Sequence, residues 1–74
     1  MEYLFVKFDP NDRRDVFANG DPIGRSDTTL MLDSDFYEIS LSGIGFAPDK
    51  WSGNISGTLA TAPLTIEFKK RGAR

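Results

Sequence analysis

Apolar side chains recur along this chain at every second residue rather than at a spacing of about 3.6. A β-strand is the regular backbone that sorts such a pattern into one buried and one wet face. In Leu64-Thr65-Ile66-Glu67-Phe68-Lys69 the alternation is strict. Tyr37, Ile39 and Leu41 share a face against Phe36, Glu38 and Ser40, and Thr28, Leu30 and Leu32 share one around Met31. Leu4, Val6 and Phe8 lie opposite Tyr3, Phe5 and Lys7, so the first strand is apolar on both faces over part of its length. A strand of that kind is covered on both sides or paired with another chain.

Turn-forming residues interrupt these runs at short intervals. Asp9-Pro10-Asn11-Asp12 ends the first strand, and Asp33-Ser34-Asp35 is a second tight connection. Asn19-Gly20 signals a two-residue hairpin, because a type I′ turn needs positive φ at both central positions. Pro22 has no N–H to donate and restricts the next segment to an edge or a brief strand. Residues 42–50 form the longest loop, residues 51–58 a weak glycine-rich strand, and Ala60 to Pro63 a short connector. No stretch carries a helical stripe free of Gly, Pro or β-branched crowding. The fold class expected is all-β: a small antiparallel β-sandwich of six to seven short strands. Its expected core is Leu4, Val6, Phe8, Val16, Ile23, Leu30, Leu32, Tyr37, Ile39, Leu41, Ile55, Leu64, Ile66 and Phe68.

With 74 residues the chain holds one small domain, assigned to residues 1–68. Residues 69–74 read as a basic, flexible C-terminal tail. All eleven acids and five of the nine cations lie in residues 1–67, a net −6. Lys69, Lys70, Arg71 and Arg74 then add four positive charges. Such a tail serves as a solvated terminus or touches nucleic acid or another anionic surface. The acidic body works against phosphate. The N-terminus lacks the basic start and cleavage site of a secretory signal, and no segment approaches the length of a membrane helix, so a cytoplasmic location is expected.

The chain contains no His and no Cys. That excludes disulfides, thiolate or imidazole metal sites, cysteine nucleophiles and Ser-His-Asp triads. Asp9, Asn11, Asp12 and Asp15 invite a calcium reading, but an EF-hand counted from Asp9 puts Arg14 where Gly is needed and Gly20 where a bidentate Glu is needed. They read as a polar turn. Asp33 and Asp35 flank an exposed turn, where burial cannot split their pKa values for acid–base work. Gly43-Ile44-Gly45 lacks the remainder of a phosphate-binding loop. Asn54-Ile55-Ser56 matches a glycosylation pattern that matters only in a secreted eukaryotic chain. Aromatics on strands suggest base stacking of the OB type, but here acids flank them. No catalytic residue, cofactor or metal is expected.

The middle of the chain resembles a PEGA-type domain. The resemblance covers about residues 14–56 and rests on Asp15-Val16-Phe17-Ala18-Asn19-Gly20, Pro22-Ile23-Gly24, Thr29-Leu30-Met31-Leu32, Phe36-Tyr37-Glu38-Ile39-Ser40-Leu41 and Gly45-Phe46. Asp12-Arg13-Arg14 stands near the place of the namesake Pro-Glu-Gly-Ala. The family implies a small β-sandwich related to carboxypeptidase-regulatory and transthyretin-like folds. It implies a structural or interaction module, often on a cell envelope, without catalysis or cofactor.

The function expected is therefore association with a protein partner or with a second copy, a homodimer included. Two surfaces offer themselves. One is an edge strand at residues 3–8 that presents Tyr3 and Phe5. The other is the loop at residues 43–51, where Phe46 and Trp51 either plug one end of the sandwich or form a recognition patch. The alternative is binding of nucleic acid or an anionic surface through Lys69, Lys70, Arg71 and Arg74.

Overall fold

The structure is a computed structural model and describes residues 1–71. The strands are β1 (Glu2–Lys7), β2 (Asp15–Ala18), β3 (Asp21–Arg25), β4 (Thr29–Leu32), β5 (Asp35–Leu41), β6 (Phe46–Ala47), β7 (Trp51–Ile55), β8 (Leu64–Glu67) and β9 (Lys69–Lys70). The described residues contain no helix, and so none that could cross a membrane. The fold is all-β, as the alternation requires. Two of the nine strands, β6 and β9, are only two residues long.

One sheet has the order β4-β1-β8, the other β3-β2-β5-β7, and β6 pairs with β9 in a small third sheet. Asn19 and Gly20 join β2 to β3 with φ of 52° and 86°, the positive values that a type I′ turn demands. The Asn19 side chain also accepts from the Glu38 N–H, which fixes the hairpin against β5. Pro22 sits on β3, an edge strand, where its missing N–H breaks no ladder.

The core lies between the two larger sheets. Leu4 and Val6 of β1, Leu30 and Leu32 of β4 and Ile66 of β8 meet Val16, Ala18, Ile39, Leu41 and Ile55 from the opposite sheet. Phe8, Phe46 and Phe68 close one end with their rings edge to face: 6.3 Å between Phe8 and Phe46, 5.8 Å between Phe46 and Phe68. Ile23, Tyr37 and Leu64 are partly buried against this cluster. Glu2 continues the inward face of β1 at the other end. Its buried carboxylate accepts from the Ser34 hydroxyl and from both the N–H and the hydroxyl of Thr58.

One expectation is corrected here. β1 is not an edge strand: β4 pairs with it antiparallel on one side and β8 parallel on the other. The chain crosses from β7 in one sheet to β8 in the other, and β8 runs beside β1 in the same direction, so both rows of β1 backbone groups are occupied. Beyond residue 68, Lys69 and Lys70 form β9 and pair with β6, and residues 72–74 of the expected tail lie outside the described residues.

Candidate functional site

The expected site residues separate in space. Tyr3 and Phe5 are half-buried on the outer face of the three-stranded sheet, with Met31 opposite Tyr3. Phe46 is buried among Phe8 and Phe68, so it plugs the end of the sandwich. Trp51 is half-buried on β7, opposite Ile39, and lies over Gly53 so closely that a Cβ there would sit 2.8 Å from its ring. It supports the core rather than projecting from a loop. Lys69, Lys70 and Arg71 are exposed. Arg74 lies outside the described residues.

The best-built feature of the surface begins at Arg14. Its backbone is pinned to the buried Ser26: the Arg14 N–H donates to Ser26 Oγ at 2.9 Å, and the Ser26 N–H to the Arg14 carbonyl at 2.8 Å. The guanidinium forks onto Asp12, with Nε and Nη2 each 3.0 Å from a carboxylate oxygen. Nη1 donates to the carbonyls of Ser42 at 2.8 Å and Ile44 at 3.1 Å. The same group stands over the Phe8 ring at 5.2 Å and the Phe46 ring at 6.0 Å. A planar fork with five donors suits this combination of carboxylate, carbonyls and ring faces; a lysine has no equivalent.

Gly43 makes that grip possible. Its φ is +80°, and a Cβ there would lie 2.7 Å from Arg14 Nη1. The loop is held from its other flank by β9, paired to β6, and by the Arg71 N–H, which donates to the Gly45 carbonyl at 2.9 Å. Lys70 Nζ lies 3.0 Å from Asp9 and 3.3 Å from Asp12. Asp12 thus bridges the cation that holds the loop and the cation on β9. Hydrogen bonds from Arg14 lead in lowering the Asp12 carboxyl to about 2, and the Asp9 carboxyl is lowered first by the Asn11 N–H and then by Lys70. The acidic turn that invited a calcium reading is neutralised by Lys70 and Arg14.

The loop so fixed presents Ile44 with 87% of its surface exposed. Beside it is a solvent-open cavity of about 430 Å³. The buried Leu41 and Phe46, the loop residues Gly43, Ile44 and Gly45, and the exposed Asp49 and Arg71 line it. Phe46 and Arg71, taken from two different expectations, therefore meet at one cavity; Tyr3, Phe5 and Trp51 do not line it. Sequence reasoning missed Ile44, Asp49 and Arg14. For Ile44 there was a signal: a β-branched apolar residue between two glycines in a long loop has no strand face on which to hide. For Arg14 there was none, since its partners lie up to thirty positions away.

An all-β sandwich with an ordered loop carrying an exposed apolar tip defines a class of scaffold, not a particular protein. Set against protein-family models, curated proteins and solved structures, the chain matches none of them.

Proposed function

We propose that this chain is a non-enzymatic interaction module, PEGA-like in kind, that associates with protein through the surface around Ile44. The observation that carries the reading is Ile44 itself, fully presented on a loop that Arg14 holds by two carbonyls. Burying such a side chain in a partner is worth roughly 1.5–3 kcal/mol. A loop ordered before contact avoids the entropic penalty of ordering during it, so more of that energy appears as affinity. Binding residues carried on loops over a rigid scaffold are the common arrangement.

The alternative, contact with nucleic acid or another anionic surface through Lys69, Lys70, Arg71 and Arg74, is less well supported. Lys70 is already paired with Asp9 and Asp12, and the cavity that Arg71 lines is lined by the acidic Asp49 as well. Capture of interacting proteins on immobilised chain tests the first reading. Ile44→Asp is expected to keep the melting temperature of the parent and to lose the captured partner. Equal capture by parent and variant contradicts the reading, as does retention on DNA or anionic vesicles that disappears when residues 69–74 are removed.

A further inference from the structure

The partner's chemistry can be read from what lies next to Ile44. A two-fold interface must be self-complementary, because each copy offers the same patch to the other. Around Ile44 the patch has a projection and a recess side by side. The projection is an isoleucine with 87% of its surface exposed, and the recess is the cavity of about 430 Å³ backed by Leu41 and Phe46. A copy rotated about an axis through this patch would place its Ile44 in the recess and receive the other in return. The charges obey the same rule. Asp49 and Arg71 both line the recess, both are exposed, and neither is ion-paired among the described residues. A two-fold axis through the recess would let Asp49 of each copy face Arg71 of the other. A net charge of only −2 leaves little long-range repulsion between copies.

From these juxtapositions we infer that the occupant of the surface is a second copy of this chain, in an isologous dimer that buries Ile44 in the partner's recess and pairs Asp49 with Arg71 crosswise. The inference rests on the association reading above and adds the identity of the partner.

Charge exchange tests it. In sedimentation equilibrium the full chain is expected to dimerise with rising concentration. Ile44→Asp, Asp49→Lys and Arg71→Glu are each expected to weaken the dimer by roughly tenfold or more, while at concentrations too low for the parent to dimerise each melts at the parent's temperature. Asp49→Lys alone sets like charges across the axis, and so does Arg71→Glu. Mixed together, the two variants regain both opposite-charge pairs and are expected to form a heterodimer. A parent chain that stays monomeric to about 1 mM overturns the inference. So does a mixture no more associated than its components, or a dimer indifferent to Ile44→Asp. The association reading fails separately: a monomeric chain whose captured protein is lost on Ile44→Asp keeps that reading and discards only the self-partner.

Discussion

Two neighbours in one loop, Ile44 and Phe46, show how closely exposure decides consequence. Phe46 touches Phe8 and Phe68 and stands beneath the Arg14 guanidinium. Phe46→Ala is expected to lower unfolding free energy by about 3–5 kcal/mol in urea denaturation, through lost burial and the cavity left behind. Ile44→Ala is expected to change it by no more than about 0.5 kcal/mol. Equal effects from the two would place the loop differently from its position here. Glu2 makes a second point. Its inward carboxylate is lowered to about 2, first by the Ser34 hydroxyl and then by the Thr58 hydroxyl and N–H, from an ordinary value of 4.5. Asp12 is lowered to about 2 from 3.8. A depressed carboxyl contributes stability above its unfolded pKa and loses it as pH falls through the folded one. Melting temperature is therefore expected to fall between pH 4.5 and about 2, the window set by Glu2. Glu2→Gln should lower the melting temperature by several degrees at neutral pH and make the fall shallower. A variant with the parent's pH profile contradicts the role of Glu2.

At the scale of elements, the two-residue period located the long strands, because a buried face leaves a visible alternation. β5 and β8 show it in full, and the Asn19-Gly20 turn fixed one hairpin by backbone chemistry alone. β6 and β9 were illegible for the same reason: two residues cannot display a period. The centrality of β1 was hidden differently. A strand apolar on both faces announces that its faces are covered, whereas edge or centre depends on which strand returns beside it, and β8 supplies partners such as Leu64 for Leu4 from far along the chain. The candidate surface was only half legible. Phe46 and the 43–51 loop were visible, but the Arg14 grip that orders the loop depends on contacts no local pattern records. β9 is testable as an element. Deleting residues 69–74 removes the Lys70 pairs with Asp9 and Asp12 and the ladder onto β6. The truncated chain is expected to melt several degrees lower, with faster hydrogen exchange at the amides of Phe46 and Ala47. Unchanged protection at those amides would mean that β9 does not hold the loop.

The described residues measure 39 × 22 × 16 Å and share one core, in a chain with no cysteine to form a disulfide. At roughly 0.05–0.15 kcal/mol per residue, a domain of this size has a net stability of order 4–11 kcal/mol. Ile39 is fully buried between the sheets, and Ile39→Ala, at about 2–5 kcal/mol, should remove a large part of that total. Circular dichroism should show the variant melting far below the parent, and a near-parental melting point would contradict the placement of the core. Association adds burial that so small a core lacks, and it makes stability rise with concentration. Amide chemical shifts of the full chain, recorded as concentration is raised, locate self-contact residue by residue. Movement confined to residues 41–46, Asp49 and Arg71 is expected. Shifts that stay fixed throughout, or that move on Tyr3, Phe5 and Met31 instead, contradict association through the Ile44 surface.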